Sequence, residues 1–221
     1  MATSDQLRQI DSHLGSSAVA WLFGAGISKG ANIPLMMTLT QRVRAQARGE
    51  SIELILNALF SELPAEAHIE HLLSHLADYI TLANRAKANE IATLKGSKFK
   101  TEDLTHAHSE IVKWIAQTVR WGYIEEDKSS GKPEQIGTAE SSLITIDEHI
   151  AFVQAFFKTT QAGLQSRRGP VHLFSVNYDP LIEDALALCS IPYWDGFSGG
   201  AVAFRNHHFG DKEPTGCMAH V

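Results

Sequence analysis

Two short segments, far apart in a chain of 221 residues, carry the residue types and spacings best suited to chemistry. The first is the glycine turn Phe23-Gly24-Ala25-Gly26-Ile27-Ser28. Glycines at alternate positions allow backbone conformations closed to other residues and bring backbone N–H groups close to a phosphate, an arrangement that a following helix N-terminus favours. The diphosphate of a nucleotide is the ligand such a turn suits. The fingerprint G-x-G-x-x-G is incomplete, because Lys29 holds the third glycine position and Gly30 comes one residue late. A tight strand-to-helix turn without ligand is the competing reading. The second segment is Asn177-Tyr178-Asp179-Pro180, which brings an amide and a carboxylate to the start of a helix. Asp179 alternatively serves as a cap that accepts backbone N–H bonds. His71 and His75 stand one helical turn apart, a spacing compatible with a metal pair, but no partner at site spacing accompanies them and polar helix-face histidines are the favoured reading. His106 and His108 lie two apart and do not share a helix face.

Both segments need strands to deliver them. The apolar run at 18–22 reads as a buried strand leading into the glycine turn, and Val171-His172-Leu173-Phe174-Ser175-Val176 reads as a second strand of the parallel-sheet type. Pro180 suits the first turn of a helix that runs to about residue 189. Two strands that each end in a polar turn place both turns at the carboxyl edge of one sheet, where doubly wound folds bind ligands. Between them, helices are expected over 35–47, 52–59, 68–87 and 104–121, with nearly everything from 51 to 120 helical, a mobile polar loop at 125–141, and a helix over 145–163 striped by Ile146, Ile150, Val153 and Phe157. A short helix is also expected over 5–14. The expected fold class is α/β: a Rossmann-like parallel sheet with a large helical insertion. The corresponding division is 1–50 and 166–221 for the two parts of the nucleotide-binding domain, the second incomplete, with the insertion at 51–165.

A chain that is 44% hydrophobic and of this length can bury a full core. The net charge of −6 argues against nucleic-acid binding over the whole surface, with Arg42, Arg44 and Arg48 as a local exception. Two cysteines, Cys189 and Cys217, make neither a disulfide framework nor a zinc ribbon and read as free thiols. Trp114 and Trp121 read as core or interface residues. No export signal or membrane span is read, and a reducing cytoplasm is the expected compartment.

Taken together, Phe23-Gly-Ala-Gly-Ile-Ser28, Ile33-Pro34 and Phe174-Ser-Val-Asn177-Tyr-Asp179-Pro-Leu-Ile-Glu183 resemble the N-terminal half of a sirtuin-like NAD-binding domain, especially the bacterial domains of antiphage defence. The resemblance implies that Gly24, Ala25, Gly26, Ser28 and Pro34 belong to the cofactor-binding turn. It puts Asn177 at the nicotinamide ribose, as a catalytic residue, and Asp179 at the nicotinamide amide. The implied activity is hydrolysis of NAD, as substrate, to nicotinamide and ADP-ribose, depleting cellular NAD. No metal is implied. Implied partners are further copies of the chain or a sensor, an Argonaute-type nucleic-acid reader or a DNA-translocase-type ATPase, with no direct nucleic-acid contact and no membrane.

The departures from the family narrow this further. Deacylating sirtuins carry Asp-Phe-Arg after Ile-Pro and a four-cysteine zinc module, whereas Leu35-Met36-Met37 stands here and those cysteines are absent, which disfavours deacylation. The family's general base is a histidine in a His-Gly segment after the asparagine motif, and no His-Gly follows Asn177. His207, His208 and His220 are the histidines of that region; His208 is the expected catalytic one if any is, although a surface or packing role is the favoured reading for each. The chain also stops before the strands that would complete a doubly wound sheet, so either a longer protein or a catalytically silent NAD or ADP-ribose sensor or assembly subunit is the expectation.

Overall fold

The computed structural model describes residues 4, 5, 8, 20–127, 129–160, 171–199, 203–205 and 219–221. In chain order its elements are β1 (Ala20–Phe23), a 3-10 helix (Ala25–Ser28), α1 (Met36–Gln46), α2 (Glu53–Phe60), α3 (Ile69–Arg85), β2 (Glu90–Ala92), β3 (Lys98–Lys100), α4 (Thr101–Trp121), β4 (Tyr123–Ile124), β5 (Gln135–Ile136), α5 (Asp147–Thr160), β6 (Val171–Ser175), α6 (Leu181–Leu188), β7 (Tyr193–Trp194), β8 (Phe197–Gly199), β9 (Ala203–Arg205) and β10 (Ala219–His220). The chain divides into two compact units, a sheet unit of Met1–Ala31 with Thr145–Val221 and a helical unit of Asn32–Ile144. The divisions thus fall at 31/32 and 144/145, where 50/51 and 165/166 were expected. Most of the helix expected over 5–14 lies outside the described residues.

In the sheet unit the strands run β1-β6-β10-β7, and every neighbouring pair is parallel. Beyond the β1–β6 pair the sheet continues only through two-residue strands. The described fold is therefore mixed α/β with parallel pairing and several helices, and not a continuous doubly wound sheet. Strand period two sends Trp21, Phe23 and Leu173 to one face. There, Phe23 and Leu173 join Val153 and Phe157 of α5 and Ile182, Ala185 and Leu186 of α6 in one core. The Trp21 ring meets Phe152 and Phe156 edge-on at 5.5 and 5.3 Å. The other face differs from the two-sided burial that apolar parallel strands predict: Leu22 is 73% and Phe174 55% exposed.

The helical unit is built on apolar residues at three and four spacing. Ile69, Leu72, Leu76, Tyr79 and Ala83 of α3 and Leu104, Ala107 and Ile111 of α4 form its centre with Leu39, Val43, Leu56 and Leu59. Trp114 packs against that cluster. The stretch 51–120 is not all helix. Residues 90–100 form the antiparallel β2–β3 hairpin, because Gly96 takes a positive φ of 89° and its N–H turns back onto the Thr93 carbonyl at 2.9 Å. The polar stretch 125–141 likewise carries β5, paired with β4. Of the three arginines singled out, the two on α1 lie over rings, Arg42 over Tyr123 and Arg44 over Phe60. Among the described residues no helix is long and apolar enough to cross a membrane.

Candidate functional site

Parallel pairing of β1 with β6 sets Phe23 opposite Ser175, and the Val176 N–H donates to the Phe23 carbonyl at 3.1 Å. The chain segments that follow the two strands therefore leave the sheet side by side. Three of the expected site residues meet there. The Ser28 hydroxyl donates to Asp179 Oδ2 at 2.8 Å, and Asn177 Nδ2 donates to Ser28 Oγ at 3.0 Å. Ser28 is 1% exposed. The capping reading of Asp179 also has its counterpart, since Oδ1 accepts the N–H of Leu181 at 3.3 Å.

The polarity of this chain of bonds follows from valence. A hydroxyl has one proton to donate, so Ser28, which donates it to Asp179, accepts a hydrogen bond from Asn177. That requirement turns the Asn177 amide with Nδ2 towards Ser28 and Oδ1 away. Asn177 Oδ1 is then buried with no hydrogen-bond partner among the described residues. A buried acceptor left unpaired costs about 1–3 kcal/mol.

The special backbone conformations expected of the glycines are not found. Gly24 is extended, at φ −111° and ψ 176°, and neither it nor Gly26 takes a positive φ. A Cβ at either position would meet nothing within 4 Å. Among the described residues, neither local conformation nor packing requires glycine there. The turn leads into a four-residue 3-10 helix instead of an α-helix, so no long helix dipole stands behind it. Gly30, one residue late for a phosphate fingerprint, lies against the Glu148 carboxylate, which a Cβ there would push aside. Thr145 Oγ1 donates to the Gly30 carbonyl at 3.1 Å and the Thr145 N–H to Ala31 at 3.4 Å, so the start of α5 is tied to the exit of the turn.

That tie delivers a residue the sequence reading passed over. His149 of α5 is 1% exposed, and neither ring nitrogen finds a hydrogen-bond partner among the described residues. Burial pushes its pKa down, against the pull of the Asp179 and Glu148 carboxylates. Its signal was present, since 149 lies three after Ile146 and four before Val153 and so shares their inward stripe. Glu183 is a second such group. Burial pushes its carboxyl up, with Asp179, Asp184 and Asp195 adding to the effect, and Oε2 is buried without a partner among the described residues. Burial and Asp179 raise Asp184 as well. The surroundings of Asp179 are thus acidic.

Of the remaining expected residues, Ala25 lies in the 3-10 helix and Pro34 falls in the helical unit. His207 and His208, the latter the expected catalytic histidine, lie outside the described residues, and His220 is described only by its place in β10. His71 Nδ1 accepts the His68 N–H at 3.3 Å, and His75 Nε2 is bonded to Glu62 at 2.9 Å. Compared with known proteins, the sequence matches no family model and no curated protein.

Proposed function

We propose that this protein is a sirtuin-like, Rossmann-type NAD hydrolase, cleaving NAD to nicotinamide and ADP-ribose as the NAD-depleting arm of a bacterial antiphage defence. The observation that carries the reading is the Ser28–Asp179–Asn177 hydrogen-bond chain, which joins the two segments whose combination resembles that family. It is supported by the clear space beside Gly24 and Gly26, which suits a closely approaching ligand. It is supported also by the orphaned Asn177 Oδ1, an acceptor suited to a ribose hydroxyl or a water.

Hydrolysis breaks the bond between ribose C1′ and the pyridinium nitrogen. The electron pair neutralises the ring, and water adds at C1′ with loss of one proton. Positive charge spreads onto the ribose as the bond stretches, and the acidic surroundings of Asp179 favour that charge. Asn177 would orient the water or the ribose hydroxyls through Oδ1, held by its bond to Ser28.

The test is nicotinamide release from NAD, with binding followed by calorimetry, for the protein and for Asn177→Ala. Binding retained with turnover lowered about a hundredfold or more is expected, the scale of removing an orienting group. Unchanged turnover in the variant would take Asn177 out of the mechanism. Binding without turnover in the unaltered protein would favour a silent NAD sensor, and absence of binding would end the NAD reading.

A further inference from the structure

The helical unit holds a cavity of about 290 Å³, walled by α1, the end of α4 and the residues around β5. Its lining takes nothing from the glycine turn or from the turn after β6. The walls are set by the chain itself. Gly137 lies so close to the end of α4 that a Cβ there would overlap the Trp121 carbonyl, and its N–H donates to the Gly122 carbonyl at 2.9 Å. The Leu143 N–H fastens the returning chain to the Trp121 carbonyl at 2.8 Å. Thr138 and Ser141 exchange backbone bonds at 3.0 and 3.2 Å, which close the turn that follows.

Arg42 is the one charged side chain among the described residues that line this cavity. Its guanidinium lies 5.5 Å from the centre of the Tyr123 ring, and that ring is held by the bond its hydroxyl donates to Glu134 Oε2 at 2.8 Å. Arg42 forms no ion pair among the described residues. A ring-backed guanidinium without a carboxylate keeps its fork of N–H donors for another acceptor. A carboxylate matches that fork with two oxygens, and its single charge matches a single cation, whereas a phosphate dianion calls for more positive charge than the lining holds. Trp121, half-buried, and Ile136, exposed, offer apolar surface for a flat ring. The amide of Gln117 can both donate and accept. The volume stands at the lower end of the range for small-molecule sites, about 300–1,000 Å³, and so suits a ligand built on one ring. We propose that this cavity is a ligand site for a small aromatic carboxylate, with the carboxylate on Arg42, the ring against Trp121 and Ile136, and a hydroxyl or amide substituent on Gln117. The proposal is independent of the NAD reading and gives the helical unit a ligand of its own.

The experiment is calorimetric titration of 4-hydroxybenzoate into the full chain and into Arg42→Met and Gln117→Leu, with the melting temperature of each variant. The neutral analogue 4-hydroxybenzyl alcohol serves as the control for charge, and the titration is repeated in the presence of NAD. Saturable binding at one site is expected, unchanged by NAD and weaker by about tenfold or more for the alcohol and in Arg42→Met, the scale of losing a charge-assisted hydrogen bond. Gln117→Leu, at an exposed position of α4, should bind about threefold or more weakly at an unchanged melting temperature. Absence of saturable binding at millimolar 4-hydroxybenzoate overturns the proposal, as does equal affinity for the alcohol or equal affinity in Arg42→Met. Displacement by NAD also overturns it, since the probe would then occupy the nucleotide site. A loss in Arg42→Met that comes with a lowered melting temperature, while Gln117→Leu binds as the unaltered protein does, overturns it too, because Arg42 would then be structural. None of these outcomes bears on whether NAD is hydrolysed.

Discussion

Each unit sets a histidine among carboxylates, and the two are treated in opposite ways. In the helical unit, His75 Nε2 is bonded to Glu62 Oε2 at 2.9 Å and Tyr79 donates its hydroxyl to the same oxygen, also at 2.9 Å. Burial pushes Glu62 up, but those bonds, with others from the backbone at Leu94 and Lys95, outweigh it and hold the carboxyl below its ordinary value. In the sheet unit, His149 has carboxylates nearby but no bond, Glu183 is pushed up, and Asn177 Oδ1 is idle. One unit supplies its histidine with a partner. The other leaves both ring nitrogens of His149 without a partner among the described residues.

The comparison breaks first at the two central carboxylates. Glu62→Ala strips the acceptor from His75 and Tyr79, and Asp179→Ala strips it from Ser28 and the Leu181 N–H. Each is expected to lower stability by about 1–3 kcal/mol in chemical denaturation. Only Asp179→Ala should also abolish NAD binding by calorimetry; loss in both would mean that the contrast is not one of function. Next in size are the histidines themselves. His75→Phe deprives Glu62 of a bond and is expected to cost about 1 kcal/mol, whereas His149→Phe should cost nothing.

Titration sharpens the contrast further. Glu62 lies below its unfolded value of 4.5, so its contribution is present above that pH and is lost as pH falls through the folded value. Glu183 lies above 4.5, so it costs stability once pH rises past its unfolded value. Glu183→Gln should therefore stabilise at pH 7 and bring no gain below pH 4.5, read from denaturation midpoints across that range. His149 is lowered from 6.5, so the unfolded chain takes up its proton first and stability drops as pH falls below 6.5. That slope should be missing in His149→Phe. The smallest effect concerns the turn: Gly26→Ala fits the existing backbone and should leave stability unchanged or raise it by about 0.4–1 kcal/mol, while weakening NAD binding.

Much of this was legible in the residues, for identifiable reasons. The runs that became β1 and β6 are apolar and end in turn residues, and from them the meeting of Ser28 with Asn177 and Asp179 followed. Helices α1 to α5 carry their periodicity openly, and each lies within a few residues of its expected bounds. What escaped depends on distant partners. The division at Asn32 arises because its carbonyl accepts the Tyr123 N–H and its side chain donates to Leu143, contacts no local pattern announces. The β2–β3 hairpin hides in a polar stretch whose Asn89 and Gly96 take positive φ. His149 was masked by its apolar neighbours, which drew the eye to the stripe and away from the one polar residue in it. The special backbone conformations expected at the glycine turn are absent, since Gly24 is extended and neither Gly24 nor Gly26 takes a positive φ.

The bonds of Asn32 have one more consequence. Its side chain reaches Leu143 at 2.7 Å, and just outside the helical unit the Thr145 N–H reaches the Ala31 carbonyl. The chain departs and returns through a single doorway, so the cost of closing that long excursion is met at one point and grows only slowly with what is enclosed. A short linker joining those two residues would leave both strands, and the turns they carry, on one continuous scaffold.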